Sequence, residues 1–294
     1  FSGIGLHTGH NVSVRILPAG EDTGITFVRT DIPGSPRIKA TASSVVATDR
    51  ATTIGCKGVN ITTIEHILAA FYGLGVDNAV VEVSGPEIPA LDGSAAHFIE
   101  VMEEAGLKEL SGLRKYLVIK KPIKVTEGGR YIFIYPSEDT EFTVDYSMDF
   151  QHPFLTKQTF SRLFSVDVFK NEVGSARTFV FKRDVERLRA NGLAKGGSLN
   201  NAVVIGEDEI LNEGGLRFPD ELVRHKVLDM VGDISLLGAP VVGRIIAHRA
   251  GHSLNFRLVQ QILKSTNCYQ MTDLPSKENI NSPCWSFMKE AEAV

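Results

Sequence analysis

Cysteine is scarce: Cys56, Cys268 and Cys284 are the only three in 294 residues, and they lie far apart. That excludes a CxxC metal knuckle and fits a reducing, cytoplasmic compartment. Long apolar runs are missing as well. The longest charge-free stretches, such as Ile67 to Val76 and Ile234 to Gly243, reach about ten residues, half of what a membrane span needs. Lys and Arg are scattered without a basic block, and the net charge is −4, so no nucleic-acid partner is expected. An HExxH zinc-protease signature is absent. No secretory leader is visible, although Phe1 is not an initiator methionine and a leader ahead of it stays open.

What is present is enough apolar residue, 43%, to bury one large core or two ordinary ones, and the length favours two. The most informative stretch runs from Leu222 to Gly238. Its apolar positions Leu222, Val223, Val227, Leu228, Met230, Val231 and Ile234 recur at three- and four-residue spacing, which predicts a helix stopped by the glycine. His225, Asp229 and Asp233 follow one another at intervals of four, so they share one helix face, each about 6 Å further along the axis. A neutral imidazole and a carboxylate one turn apart can reach one divalent cation together, and both suit zinc. The alternative is a solvated helix face. A metal reading needs a third ligand from elsewhere.

Phe1 to Gly9 superficially resembles a glycine-rich phosphate loop. It is followed by Asn11-Val-Ser-Val-Arg-Ile-Leu17, which alternates with period two as a strand, so no helix N-terminus awaits a phosphate. Further strands are expected at Gly24 to Arg29 and Arg37 to Ala42, then a loop or short hairpin at Thr48 to Val59. A helix follows from Thr62, with Thr62 or Thr63 as cap, Glu65 in the first turn where the helix dipole favours a carboxylate, and Gly73 and Gly75 at its end. Ala79 to Val83 reads as a strand, and Asp92-Gly-Ser leads into a helix ending near Gly106. A composition break at Leu110 to Lys115 marks a domain boundary. Beyond it strands are expected at Tyr116–Val125, Tyr131–Tyr135, Glu141–Met148 and Val242–Ala247, with helices at Lys182–Asn191 and Leu254–Leu263.

The two halves repeat one order of elements: strands, a helix with an early histidine (His66, His225), a glycine stop, an apolar strand, a loop with a polar residue beside glycine (Asp92, His252), and an amphipathic helix. The expected fold is therefore α+β. Two similar domains, 1–112 and 113–270, each carry a sheet with a helical layer, the helices packed between the sheets, and 271–294 form a tail. Shared helices would bring His66 beside His225 and supply the third ligand.

Two histidines and an aspartate around zinc leave a fourth position open, as catalytic sites do. Glu65, next to His66, suits a general base by position; the plain alternative is a glutamate kept for the helix dipole. His252 reads as a second acid–base group or a surface residue. Asp233 lies too far along its helix to share the ion, and could hydrogen-bond His252 and keep it protonated. The other histidines, His7, His10, His97, His152 and His248, are taken as structural or superficial.

Several segments, in order, carry a family resemblance. They are Thr63-Ile-Glu-His-Ile-Leu-Ala-Ala70, Gly73 to Ala79, Pro89-Ala-Leu-Asp-Gly-Ser-Ala95, Ala176-Arg-Thr-Phe179, Gly196-Gly-Ser198, Leu211-Asn212, Gly215-Leu-Arg-Phe218, Arg224-His-Lys-Val-Leu-Asp229, Gly232-Asp233 and Gly251-His-Ser-Leu-Asn255. Together, from Gly3 to about Leu263, the chain resembles the zinc-dependent UDP-3-O-acyl-N-acetylglucosamine deacetylases of lipid A biosynthesis. The resemblance implies zinc ligands at His66, His225 and Asp229, a general base at Glu65, and a second acid–base histidine at His252 supported by Asp233. It implies a lysine beside the second ligand at Lys226 and a threonine aiding the developing oxyanion at Thr178. It further implies that Phe179 to Val204 is an insert shaping an apolar passage for an acyl chain, with Phe179, Ala194, Ser198, Leu199, Ala202 and Val204 as its lining; an ordinary βαβ connection would use similar residues. Val180 departs from the glycine that many members carry there.

The expected activity is hydrolysis of an acylated UDP-sugar's N-acetyl group, with zinc as cofactor and iron(II) as the cellular alternative. The protein is expected to be a monomer that meets the inner membrane only peripherally, through its acylated substrate. Two other classes share parts of this reading. A different zinc amidase would cleave a peptide and ignore the nucleotide sugar, and a metal-stabilised binding protein would have a closed fourth position and unfold without zinc.

Overall fold

The computed structural model describes residues 1–150, 152 and 155–273. Part of the expected tail, from residue 274 onward, lies outside the described residues. In chain order the first half contains β1 (Ser2–Ile4), β2 (Asn11–Pro18), β3 (Ile25–Arg29), β4 (Arg37–Lys39), β5 (Val45–Ala47), β6 (Thr53–Cys56), β7 (Val59–Ile61), α1 (Glu65–Leu74), β8 (Ala79–Val83) and α2 (Ala96–Ala105). The second half contains β9 (Lys115–Ile119), β10 (Ile123–Glu127), β11 (Arg130–Tyr135), β12 (Phe142–Met148), β13 (Gln158–Leu163), the single turn α3 (Val166–Val168), β14 (Phe179–Phe181) and α4 (Lys182–Ala190). It closes with β15 (Val203–Ile205), α5 (Glu221–Ile234), β16 (Val241–His248), α6 (His252–Lys264) and β17 (Tyr269–Asp273).

The period-two strands form two sheets. One has the order β1-β2-β8-β3-β4; the other runs β10-β11-β16-β12-β13, with β9 pairing β16 and β17 pairing β9. Both are mostly antiparallel: the first contains one parallel pair, β3 with β8, and the second contains two, β12 with β16 and β16 with β9. Val12, Val14, Val81 and Phe27 from the first sheet and Ile132, Ile134, Val144 and Ile245 from the second belong to one continuous buried core. Helices α1 and α5 are buried on almost every face and pack against each other, and α5 also meets β12 and β13. This is the α+β arrangement expected, with helices covered on both sides.

Several local expectations change. Tyr116 to Val125 is two strands, β9 and β10, broken at Lys120 to Pro122, because Pro122 cannot donate to a ladder. Neither threonine caps α1: the first residue outside the helix is Ile64, without a side-chain cap. The Thr62 hydroxyl bonds that of Thr53 at 2.8 Å, and the Thr63 hydroxyl donates to Glu87 at 3.0 Å. Gly75, in the left-handed conformation, stops α1, whereas Gly73 lies inside it. Gly73 is there for contact: a Cβ would stand 2.0 Å from the Phe169 ring. Strands β13, β14, β15 and β17 had no signal strong enough to read beforehand, being short or on a sheet edge.

Candidate active site

Helix α1 begins at Glu65 and α5 carries His225, so packing α1 on α5 sets the residues of the two halves side by side. Gly232 makes the close approach possible. A Cβ there would lie 2.0 Å from the Glu65 carbonyl oxygen, so no larger residue fits without moving one helix. The imidazoles of His66 and His225 meet at a centroid distance of 5.0 Å. Asp229 Oδ1 lies 3.4 Å from His66 Nε2 and 3.3 Å from His225 Nε2. All three side chains are buried, and their ligand atoms lie within 4.8 Å of one another.

The protonation pattern follows from the partners. His225 Nδ1 lies 3.0 Å from the Ala176 carbonyl, which can only accept, so Nδ1 carries the hydrogen and Nε2 turns a lone pair inward. Burial, outweighing the attraction of Asp229, lowers the His225 pKa to about 4, so the ring is neutral. Burial would push Asp229 up, but His225, Lys226 and His252 overcome it and hold the carboxyl well below its usual range. Asp229 Oδ2 accepts from Lys226 Nζ at 2.6 Å, while Oδ1 is buried with no hydrogen-bond partner. A buried anionic oxygen without a donor is costly in a finished structure. Set against the Nε2 atoms of two imidazoles, it completes a group of side chains that could hold a divalent cation such as zinc.

Beside this cluster stand the other two groups. Glu65, 2% exposed, accepts from the Thr52 N–H through Oε2 at 3.0 Å. Burial raises its pKa against the pull of His252 and His66. His252 opens α6 with Gly251 before it, and its Nδ1 lies 2.9 Å from Asp233 Oδ2. Its Nε2 faces Glu65 Oε1 at 3.9 Å and Asp229 Oδ2 at 3.8 Å. Burial lowers the imidazole pKa, yet the carboxylates of Asp233, Glu65 and Asp229 overcome that and raise it to about 9. Two backbone strains flank the site. Thr63 has φ +59° two residues before Glu65, and Arg249 has φ +49° three residues before His252. Such positions persist only where the surroundings hold them; at Thr63 the hydroxyl bond to buried Glu87 is one such restraint.

The structure brings together Glu65, His66, His225, Lys226, Asp229, Asp233 and His252. Thr178 is joined less directly, two residues after the Ala176 carbonyl and at the head of β14. The Phe179 ring stands edge-on to His225 at 6.2 Å. β14 and β15 run parallel, Phe179 opposite Val203 and Val180 opposite Val204, with α4 between them in sequence. Val203, Ile205 and Leu222 form a second small core against which Phe179 and Phe181 pack. Ala194 occupies a left-handed turn, the Ser198 N–H donates to Asn201 Oδ1 at 2.8 Å, and Ala202 is buried. Val204 is half-buried and Leu199 is 50% exposed.

Sequence reasoning passed over three contributors. Arg177 grips buried Glu221 through Nε and Nη2 at 2.8 and 3.0 Å, tying the Ala176 segment to the head of α5. Glu87 accepts from His7, Thr8 and Thr63. Thr52 meets both Glu65 and Asp233. Arg177 falls inside the motif Ala176-Arg-Thr-Phe179 and Glu87 two residues before another, Pro89 to Ala95, so both carried a signal; Thr52 had none.

The profile of one family, described as UDP-3-O-acyl N-acetylglycosamine deacetylase, matches residues 1–264. A protein of Citrifermentans bemidjiense named UDP-3-O-acyl-N-acetylglucosamine deacetylase is 46% identical over 283 residues, 96% of this chain and 92% of its own. Proteins of the same name from Anaeromyxobacter sp. and Myxococcus xanthus are each 45% identical, over 95% and 94% of this chain and 90% and 87% of theirs.

Proposed function

The chain belongs to the UDP-3-O-acyl N-acetylglycosamine deacetylase family, and on that premise we propose that it hydrolyses the acetamide of a UDP-3-O-acyl-N-acetylglucosamine in lipid A biosynthesis. Acetate and a free 2-amine are the products. The observation that carries the reading is the donorless Asp229 Oδ1 set between two imidazole nitrogens, with Glu65 and His252 alongside.

His66, His225 and Asp229 would hold zinc, with iron(II) as the alternative. A metal held there would supply Lewis acidity, lowering the pKa of the attacking water toward about 7 and polarising the acetamide carbonyl. Glu65 takes the proton of that water; burial makes its carboxylate a stronger base than an exposed one. Thr52 keeps one of its oxygens occupied, so Oε1 is the oxygen turned toward His252 and the reacting atoms. His252, protonated and oriented by Asp233, faces the developing oxyanion and then, with Glu65, delivers a proton to the leaving nitrogen. The Thr178 hydroxyl adds a donor to the oxyanion. Lys226 offsets the charge of Asp229 and positions the substrate.

The apolar passage for the 3-O-acyl chain is formed by Phe179, Ala194, Ser198, Leu199, Ala202 and Val204. Its proximity to the reacting centre is supported by the Phe179–His225 contact. We take residues 1–112 and 113–270 as two domains meeting at this site. The protein acts as a cytoplasmic monomer that touches the inner membrane peripherally to collect its substrate; among the described residues no helix is long and apolar enough to cross a membrane. Acetate release from the acylated nucleotide sugar tests the reading: it should stop on chelation and return with zinc. Failure to release acetate from that sugar with zinc supplied defeats it.

A further inference from the structure

Thr52 lies just ahead of β6, on none of the helices that carry the reacting groups, yet it is bonded to two of them. It is 1% exposed. Its N–H donates to Glu65 Oε2 at 3.0 Å and its carbonyl accepts from the Ile64 N–H at 3.4 Å, so its backbone is fastened to the head of α1. Its hydroxyl donates to Asp233 Oδ1 at 2.5 Å, on α5. The direction of that last bond follows from Asp233, whose ionised carboxylate only accepts. Asp233 Oδ2 already faces His252 Nδ1 at 2.9 Å and takes Asn255 Nδ2 at 2.8 Å, both from α6. Thr52 therefore holds the one carboxylate oxygen that α6 does not. Without it, the Asp233 carboxylate is restrained through Oδ2 alone, by two groups of α6, and loses the bond that fixes its tilt and that of the His252 ring relative to β6.

We propose that Thr52 is a positioning residue: one backbone bond and one side-chain bond set Glu65 and the Asp233–His252 couple in register. The consequence for the reaction rests on the roles given above to Glu65 and His252. The two bonds are separable. Thr52→Val keeps the N–H and the volume but deletes the hydroxyl; Thr52→Ser keeps the hydroxyl and deletes the methyl.

The test uses the full chain as wild type, T52V, T52S, D233A and T52V/D233A. It records kcat and KM for acetate release, zinc content, and crystal structures of the metal-free wild type and T52V. T52V is expected to lower kcat about 10- to 100-fold, as loss of an outer-sphere partner does, with KM and zinc content little changed. T52S should restore most of the rate. In the D233A background T52V should cost less than about twofold, because the two act as one unit. The T52V crystal should show the Asp233 carboxylate or the His252 ring turned from its place. Wild-type kcat in T52V, equal loss in T52S, losses that multiply in the double variant, or an unmoved couple in the T52V crystal would each overturn the proposal. If the wild type releases no acetate, or E65Q is as fast as wild type, the functional reading fails instead. The crystal comparison then still decides whether Thr52 positions the couple.

Discussion

His66 and His225 meet edge to face with their ring centroids 5.0 Å apart, one from each half of the chain. Removing either imidazole, or Asp229, dismantles a shared site instead of trimming it. H66A, H225A and D229A should each lower zinc affinity by more than the roughly 10- to 100-fold expected for an outer partner. Titration against a chelating indicator measures this. A D229A protein that held zinc as tightly as wild type would sink the ligand assignment.

Glu65 lies beside the three proposed ligands and is proposed as the base, so its loss should separate binding from turnover. E65Q is expected to reduce kcat by about 10²–10⁴-fold while zinc stoichiometry stays the same. Steady-state kinetics with metal analysis on the same sample checks it; an unchanged kcat removes Glu65 as the base.

The alkaline side of the pH profile should report His252. Burial lowers its pKa, but Asp233, Glu65 and Asp229 outweigh that and hold it at about 9. The protonated form is lost as pH rises through that value, so kcat/KM should fall there. D233N removes the largest of the raising charges, which moves the descending limb to lower pH. A limb that stays in place would assign the alkaline loss to another group.

Gly232 controls the spacing of α1 and α5. G232A would put a methyl 2.0 Å from the Glu65 carbonyl, where backbone must shift to admit it. Overpacking of this kind costs about 1–3 kcal/mol, so thermal unfolding should occur at lower temperature and zinc should bind more weakly. An unchanged Tm with wild-type zinc affinity would show that the helices can separate without consequence.

The elements legible in the sequence were those with a strong repeating pattern. Leu222 to Ile234 announces a helix through apolar spacing, and Gly238 its stop. Asn11 to Leu17 announces a strand through alternation. Tyr116 to Val125 misled because its apolar pattern runs past Pro122, where the ladder cannot. Thr62 and Thr63 misled because a capping hydroxyl is read from position alone, whereas buried Glu87 and Thr53 compete for it in three dimensions.

The sequence by itself determined which side chains lie on one helix face, since a four-residue step turns only slightly more than one full revolution: His225 with Asp229 is a local fact. It also carried the family, through ordered motifs spread over most of the chain. Only the tertiary structure decided that Asp229 Oδ1 is left without a donor, that the Arg177–Glu221 pair pins the carbonyl that orients His225, and that Thr52 reaches both Glu65 and Asp233. Those relations join residues far apart along the chain. No periodicity encodes them, because they depend on how closely two helices approach and on which buried polar groups find each other once water is gone.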